Sequence, residues 1–432
     1  MHTRILSGIF VRLSIILSAL VVYGCMSGTG SPVLDVEVTN GTDSAWADVV
    51  IQLDQAQFIQ SLKDLKPEHI RVMSGEKTLT WQMVDLNMDG QPDQLLILTD
   101  LGGREFLQIT IDDKGMQGPE LKKRTQAELS VKEGGKWELV TKENGTRQYE
   151  YKGGTFKNIR KLRVPDEHTD HSFYVRYEGP GWESDKVGYR FYLDWRNATD
   201  IFGKKTPEMV LQDVGQDGFE SYHEPADWGM DILKVGSSLG IGSFGYWTGS
   251  KAVRVEKTDS IICEIIQNGI IRSAIETNYY GWSDEGMSVD LRSIISIDAG
   301  SRLSHVELSL SDSADNLCTG IVKHSDTELI TKSVENGNWA YISTYGIQSL
   351  NNDKLGMALF YDRTDMISLE EDEENFVVVL NSDDGNVQYY FAAVWESDLD
   401  RITDRTGFIN YLDATLFRLN NPVQIQYVSG KK

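Results

Sequence analysis

Cysteine is scarce in this sequence, with three residues among 432. One of them, Cys25, ends an apolar N-terminal segment, so only Cys263 and Cys318 remain in the body of the chain. Two thiols cannot form a disulfide framework, and neither has a partner at a spacing typical of metal ligands. Cys263 lies in an apolar run and is expected in the core, although a single bridge to Cys318 can form in an oxidising compartment.

Positive charge is also in short supply. Lys and Arg total 42 against 65 Asp and Glu, which gives a formal net charge of −23. Nucleic-acid binding depends on basic groups that neutralise phosphates, so this composition argues against a nucleic-acid partner. The excess of acidic groups is most simply a source of solubility.

Long apolar runs are absent after the first 25 residues. Before that point, Arg4 and Arg12 precede an apolar stretch that ends at Val22-Tyr23-Gly24-Cys25, the pattern of a secretory signal peptide with a lipoprotein cleavage site. The stretch is shorter than the roughly 20 residues that span a bilayer. We therefore predict a signal peptide over residues 1–24, a lipid anchor on Cys25 that holds the chain at a membrane, and a flexible leash over residues 25–32. The expected location is the cell envelope, periplasmic or outer-membrane-associated.

Helical periodicity is scarce, and alternation of apolar and polar residues dominates. Residues 173–177, 189–193 and 305–310 alternate with period two, which is typical of strands with one buried face. Turn dipeptides such as Asn144-Gly145 and Asn268-Gly269 separate such segments and favour hairpins. The pattern predicts an all-β protein.

One segment, residues 404–419, has a clear helical pattern. Three apolar residues recur on one face at helical spacing: Phe408, Leu412 and Leu416. Thr403 is the expected N-cap, and Pro422 follows the segment as a stop signal. We expect a single helix here.

Composition divides the mature chain into two β units. Residues 33–111 contain short strands and predict a small N-terminal β-sandwich. Residues 112–132 are charged and rich in turn residues, so we place a linker there. Residues 133–432 are then expected to form one large antiparallel β domain with two extended packed sheets.

A short polar loop predicts a structural calcium site. Oxygen-bearing side chains recur at alternate positions around Gly90, as hard cations require: Asp85, Asn87, Asp89 and Asp93. The twelfth position is Leu96 rather than the glutamate of a helix–loop–helix site, and a polar hairpin turn without metal is the alternative. Apart from this ion, no cofactor is required.

A glycine-rich segment, Gly240-Ile241-Gly242-Ser243-Phe244-Gly245, has the spacing of a dinucleotide fingerprint. That fingerprint has meaning only between a strand and a helix, and Tyr246-Trp247 follows without a helical pattern. We therefore reject a nucleotide and expect these glycines where the backbone closely approaches another strand or a ligand.

Two groups of polar and aromatic residues are dense enough to form a site. The first supplies acids, bases, a cation and an indole within thirteen residues: Tyr222, His223, Asp227, Trp228, Asp231 and Lys234. The second surrounds the turn Gly179-Pro180-Gly181: His168, His171, Glu178, Trp182, Glu183, Asp185 and Arg190. Interleaved with glycine and tryptophan, they indicate a loop-built site on a β scaffold.

These segments also carry a family resemblance. Residues 177–190, with Gly179-Pro180-Gly181-Trp182-Glu183-Ser184-Asp185, residues 200–205, and residues 227–236, with Asp227-Trp228-Gly229-Met230-Asp231, resemble the lipoprotein family catalogued as domain of unknown function four-eight-six-one. The similarity covers nearly all of the mature chain. It implies a galactose-mutarotase-like supersandwich and a role in polysaccharide utilisation, in a family that includes dehydratases acting at a non-reducing uronic acid. The catalytic signature of the mutarotase itself is not evident.

Elimination of water across C4 and C5 of a terminal uronic acid needs a cation beside the carboxylate, a base and an acid. We predict that Arg190, assisted by Lys234, binds the carboxylate, because an arginine fork matches it bidentately. His223 and Tyr222 are the predicted proton-transfer residues. The predicted substrate-binding residues orient these groups, bind hydroxyls or stack on a sugar ring: Glu183, Asp227, Asp231, Trp182, Trp228 and His171.

Three other functions use similar residues and stay open at this point. A mutarotase or epimerase needs the same acid–base groups but forms no double bond. A glycoside hydrolase needs paired carboxylates, for which Glu183 and Asp231 are candidates. A non-catalytic glycan-binding lipoprotein needs only aromatic rings and groups that bind hydroxyls.

Overall fold

Antiparallel strands make up almost all regular structure in the computed structural model, which describes residues 33–55, 69–115, 122–284, 287–314, 316–325, 327–382 and 385–428. The predicted signal peptide, Cys25 and the predicted leash lie outside these residues. The strands of the first third are β1 Val33–Thr39, β2 Trp46–Asp54, β3 Arg71–Ser74, β4 Lys77–Thr78, β5 Thr80–Val84, β6 Gln94–Leu101, β7 Phe106–Asp112, β8 Thr125–Glu128, β9 Ser130–Glu133, β10 Lys136–Thr141, β11 Arg147–Lys152, β12 Thr155–Asn158 and β13 Lys161–Arg163.

The later elements include the one α-helix of the described residues. The strands that follow are β14 Gly181–Ser184, β15 Gly188–Phe191, β16 Thr199–Lys204, β17 Gly229–Asp231, β18 Ile241–Trp247, β19 Ala252–Arg254, β20 Ser260–Asn268, β21 Arg272–Asp284, β22 Met287–Asp298, β23 Ser304–Leu310 and β24 Leu317–Val322. The last elements are β25 Ile330–Ser333, β26 Trp339–Ile347, β27 Lys354–Asp362, β28 Met366–Glu371, β29 Asn375–Leu380, β30 Asn386–Trp395, helix α1 Arg405–Asn420 and β31 Gln424–Val428.

The N-terminal strands form a β-sandwich with its own core. One sheet has the order β31-β1-β7-β3-β4 and the other the order β2-β6-β5. Alternate residues of both sheets meet in that core: Val36, Ile51, Val72, Leu95 and Ile109. The sandwich extends beyond residues 33–111, because the C-terminal strand β31 pairs with β1.

The linker expected over residues 112–132 is shorter than predicted. Residues 125–128 form β8, whose four side chains are all buried and which pairs with β14. Polar contacts also join the sandwich to the rest of the chain: the Gln82 side chain accepts from the Ile271 N–H at 2.7 Å, and Arg124 pairs with Asp48 at 2.5 Å. The described residues accordingly fall in one compact unit.

Three larger sheets build two layers around one large core, and β9 to β12 form two separate two-stranded sheets, β10-β11 and β12-β9. A nine-stranded sheet, β13-β20-β21-β22-β23-β30-β27-β26-β25, forms one layer. Two five-stranded sheets, β17-β16-β15-β14-β8 and β19-β18-β24-β29-β28, lie in the other, and apolar residues of all three sheets share the core. This arrangement confirms the predicted all-β supersandwich.

Helix α1 confirms the helical pattern near the C-terminus. Phe408, Leu412 and Leu416 are buried on one face, where they pack on side chains of β26, β27 and β30. The N-cap is Asp404 rather than Thr403, since the Asp404 side chain accepts from the Gly407 N–H. In the described residues, no helix combines the length and apolar character needed to cross a bilayer.

Both remaining cysteines are buried and free. Cys263 lies in the core as expected, whereas no bridge to Cys318 is formed, since both thiols are free. The glycine-rich segment is also structural: it lies in antiparallel β18, and a Cβ on Gly242 would be 2.2 Å from the Phe391 ring. This agrees with the rejection of a nucleotide-binding loop.

Candidate active site

Strand alternation places a polar cluster on the outer face of the sheet β17-β16-β15-β14-β8. Tyr189 and Phe191 of β15 lie in the core, so Arg190 between them faces away from it. Its cross-strand partner on β16 is Asp200, and the neighbouring strand β17 ends with Asp231. The apolar neighbours of both acids also lie in the core.

Arg190 is the centre of this cluster, and it is only 3% exposed. Its side-chain nitrogens donate to five groups: the carboxylates of Asp200 and Asp231, the hydroxyls of Tyr192 and Tyr222, and the Tyr177 carbonyl. A guanidinium whose donors are occupied by protein groups has none left for a substrate carboxylate. The predicted direct contact is therefore corrected: Arg190 positions Asp231 and Tyr222.

His223 and Asp231 form an acid–base pair beside Arg190. His223 Nε2 lies 3.4 Å from Asp231 Oδ2, the oxygen that also accepts from Arg190 Nη2 at 2.6 Å. Residues Ser221–His223 form a single 3₁₀ turn, which brings the Tyr222 and His223 rings to 4.6 Å between centroids. The His223 side chain is 44% exposed, so the pair can reach a bound molecule.

Burial and hydrogen bonding shift the pKa values of this cluster. The hydrogen bond to Asp231 is the largest influence on His223 and raises its pKa, which favours the imidazolium. Burial, with the charge of Asp231 second, raises the pKa of Asp200 to about 6. Burial also raises the pKa of Tyr222, so its hydroxyl keeps its proton at neutral pH.

The His223–Asp231 pair predicts a pH-dependent stability. The pKa of His223 is raised in the folded state. The His223–Asp231 pair therefore stabilises the folded protein in full at pH values below the ordinary histidine pKa of about 6.5, and this stabilisation is lost as the pH rises through the raised pKa. The half-exposed pair is screened, so we expect His223→Gln to lower the free energy of unfolding by on the order of 0.5 kcal/mol near pH 5.5 and by close to zero near pH 9. Urea unfolding across this range measures it, and a difference that is constant with pH would contradict the pairing.

A second imidazole, His171, lies close to the same cluster. Its Nδ1 is 2.6 Å from Asp170 Oδ1, and this hydrogen bond is the largest influence raising its pKa. The His171 ring is 5.2 Å from the Phe219 ring, which lies 6.4 Å from the Tyr222 ring. The partly exposed imidazoles of His171 and His223 thus lie on either side of the ring pair formed by Phe219 and Tyr222.

The backbone next to His171 is strained. His171, Phe173, Tyr177 and Glu178 have φ values between 37° and 70°, a region that side chains with a Cβ rarely adopt. Each such residue costs about 1–3 kcal/mol and is held by its surroundings. Here the Glu178 carboxylate accepts from the His171 N–H at 2.9 Å. Clustered strain of this kind is typical of functional sites.

One trio of potential metal ligands occurs in the described residues: atoms of Asp170, His171 and Glu178 lie within 4.8 Å of one another. Arg196 already pairs with the carboxylates of Asp170 at 2.8 Å and Glu178 at 2.9 Å. A cation bound here would have to displace a guanidinium. The trio therefore fits an ion-pair network better than a metal.

The polar loop at residues 85–93 closes on itself. All four predicted calcium ligands accept hydrogen bonds from backbone N–H groups of their own loop: Asp85, Asn87, Asp89 and Asp93. Such local hydrogen bonds are typical of a polar turn. The second carboxylate oxygen of Asp85 is buried without a hydrogen-bond partner. The calcium site stays a prediction.

Two predicted substrate-binding residues have structural roles instead. Trp182 is fully buried, stacks on Tyr189 at 5.7 Å and donates to the Ser304 hydroxyl at 2.8 Å, so no face is left for a sugar. Glu183 is fully buried and pairs with Lys204 at 2.5 Å. We correct both assignments, because a buried ring and a neutralised buried carboxylate are not accessible to a ligand.

The other predicted residues divide between the cluster and its surroundings. Trp228 is half-buried and contacts Phe202, with ring centroids 6.0 Å apart, and Phe202 also contacts Tyr222. Asp227 is exposed next to it. Lys234 is exposed and lies close to His324. The pKa of His324 is lowered mainly by burial and secondly by the positive charge of Lys234. The structure therefore gives Lys234 no contact with Arg190.

Sequence reasoning missed Asp200, Tyr192, Phe219 and Arg196. Asp200 had a detectable signal, because in the hairpin β15–β16 it lies directly opposite Arg190. Phe219 and Arg196 had none, since they reach His171 from loops whose paths the sequence does not specify.

Fold and cluster together define an all-β supersandwich protein with a histidine–aspartate pair beside a buried arginine. The chain belongs to the family described as Domain of unknown function (DUF4861), whose model matches residues 38–425. This confirms the family resemblance seen in the sequence. No curated protein has significant similarity to the chain.

Two solved structures have a similar backbone course. They are a protein in the Glycosyl Hydrolase Family 38 and an alpha-mannosidase, both from Enterococcus faecalis. Each is 8% identical to this chain with a TM-score of 0.42, and each comparison covers 93% of this chain. The chain spans about half the length of these structures, 48% and 47% respectively.

Proposed function

We propose that the protein is an oligosaccharide dehydratase that eliminates water at a non-reducing-end uronic acid and leaves a 4,5-unsaturated sugar. The observation that carries this proposal is the partly exposed His223, paired with Asp231 and in ring contact with Tyr222. An accessible imidazole held by a carboxylate can remove the C5 proton as a base and return it to the leaving hydroxyl as an acid. The family resemblance to polysaccharide-utilisation lipoproteins supports a saccharide substrate.

The reaction balances without a further reagent. His223, in its uncharged form, accepts the C5 proton, and the C5–H electrons become the second bond between C4 and C5. The C4–O bond breaks, and the His223 imidazolium passes its proton to the leaving hydroxyl, which departs as water and leaves the imidazole restored. Tyr222 is only 2% exposed, so its predicted proton-transfer role is corrected: held by Arg190, it packs against the His223 ring and positions it.

The substrate carboxylate needs a positive partner while C5 loses its proton. Because the donors of Arg190 are occupied, this role passes to His171, whose pKa is raised by Asp170. Its side chain is 55% exposed, and Phe219 lies between it and Tyr222. Trp228, in ring contact with Phe202, and the exposed Asp227 are the predicted groups for a sugar ring and its hydroxyls.

The test is the ultraviolet absorbance of the conjugated product. Incubated with saturated oligosaccharides that end in a uronic acid, the protein is expected to generate this absorbance and to release no monosaccharide. New anomeric signals in NMR without a double bond would instead identify an epimerase, and shortened oligosaccharides a hydrolase. Saturable binding without any product would identify a glycan-binding protein.

A glycoside hydrolase built on Glu183 and Asp231 has little support. Glu183 is enclosed by Lys204 and by the N–H groups of Val210 and Leu211, so it cannot protonate a glycosidic oxygen. Dehydration at His223 therefore remains the preferred reaction. We further propose that lipid-anchored Cys25 holds the enzyme in the cell envelope, where oligosaccharides from degraded polysaccharide are available.

A further inference from the structure

A cavity lies apart from the His223–Asp231 pair. Its volume is about 540 Å³, within the range of small-molecule sites. Three segments of the chain and Ser283 form its walls: residues 164–166 with His168, residues 193–195 and residues 255–261. None of the residues of the proposed acid–base cluster lines it.

Trp195 is the aromatic wall of this cavity. It is 48% exposed, although a soluble protein gains by burying an indole of this size. The guanidinium carbon of Arg254 lies 5.2 Å from the ring centroid, and Arg254 itself is buried and donates to the Ser238 carbonyl. One side of the indole is therefore held by a fixed cation, and the exposed remainder is a rigid apolar surface.

His168 contributes a neutral polar group to the same cavity. It is buried, and its Nδ1 lies 2.8 Å from the Ser172 hydroxyl. Burial lowers the pKa of His168 to about 4, so the imidazole is uncharged at neutral pH. Its Nε2 is buried and has no hydrogen-bond partner among the described residues.

The rim of the cavity is mainly acidic. Asp166, Glu256 and Asp259 are exposed lining residues, against a single exposed lysine, Lys257. Carboxylates accept hydrogen bonds from hydroxyl groups and repel other carboxylates. This balance favours an uncharged polyhydroxylated ligand over a uronate.

We propose that the Trp195 cavity binds a neutral pyranose, with the C–H face of the sugar on the indole and its hydroxyls on the rim carboxylates. The volume, the exposed ring held by Arg254 and the acidic rim each point to this ligand class. The inference goes beyond the proposed elimination and does not depend on it, since the two sites share no residue.

The test uses saturation-transfer NMR with methyl glycosides of glucose, galactose, mannose, xylose and rhamnose, and with methyl glucuronide as the charged comparison. We expect at least one neutral glycoside to bind the full chain, with the strongest transfer to the protons of one ring face, and methyl glucuronide to bind more weakly. Trp195→Ala is expected to weaken this binding about tenfold, as the loss of a central aromatic contact does. Glu256→Gln removes a negative charge and keeps the shape of the side chain. It should therefore reduce the difference in affinity between the neutral glycosides and methyl glucuronide.

Two variants serve as controls. Phe106→Ala removes another exposed aromatic ring, 56% exposed on the N-terminal sandwich, and should leave binding unchanged. His223→Ala should also leave it unchanged, although it removes the proposed acid–base residue. Absence of binding by every neutral glycoside, equal binding by Trp195→Ala, or loss of binding in His223→Ala would overturn the proposal, whatever the outcome of the elimination assay.

Discussion

Replacing His223 with alanine should lower the turnover of the proposed elimination by about 10²- to 10⁴-fold, the range that one positioned acid–base group contributes. The loss should fall mainly on kcat, because the exposed imidazole moves a proton while other groups bind the sugar. Formation of the unsaturated product, followed by absorbance, measures both kcat and KM.

The matched control is His69→Ala, since His69 is an exposed histidine of the N-terminal sandwich far along the chain from the cluster. It should keep full turnover. Asp231→Asn tests the same pair from the other side: it keeps the shape of the side chain but removes the charge that Arg190 and His223 share. An active His223→Ala enzyme with a normal melting curve would remove His223 from the mechanism.

Replacing Glu183 with glutamine should lower the free energy of unfolding by about 3 kcal/mol. Both partners of the Glu183–Lys204 pair are fully buried, and breaking a buried pair from one side leaves an uncompensated charge. The new amide can still accept a hydrogen bond from Lys204, as the Ser184 carbonyl does at 2.7 Å, but neither group neutralises the buried ammonium. Urea unfolding of the purified variants measures the change.

Glu208→Gln is the matched control, because Glu208 also pairs with a lysine, Lys122, at 2.6 Å but both side chains are about 60% exposed. An exposed pair contributes less than about 1 kcal/mol, so this variant should unfold almost as the native protein does. A Glu183→Gln variant that is as stable as the native protein but has a raised KM in the proposed elimination would return Glu183 to the substrate site.

Local pattern predicted much of the fold. Alternation in residues 189–193 and 305–310 correctly implied β15 and β23, and the spacing of Phe408, Leu412 and Leu416 correctly implied α1. Both signals are short-range, because the period of a strand or helix repeats within a few residues. These two predictions therefore do not depend on how distant parts of the chain pack. The strand implied for residues 173–177 was wrong, because that segment forms bends and enters a 3₁₀ turn.

The site was predicted less completely. The sequence singled out Arg190, Tyr222, His223 and Asp231, and the structure brings them together. Residue type alone could not tell which of them would be buried. Arg190 was assigned a substrate contact because arginine matches carboxylates, yet in the fold two protein carboxylates occupy it.

The sequence by itself determined the all-β class, the family and the segments that carry the acids and bases, because these depend on residue type and local spacing. Tertiary structure decided which polar groups remain accessible. Lys204 meets Glu183 across the sheet, and β31 closes the sandwich from the far end of the chain. Burial and partner choice arise from packing between residues distant in sequence, which no local pattern encodes.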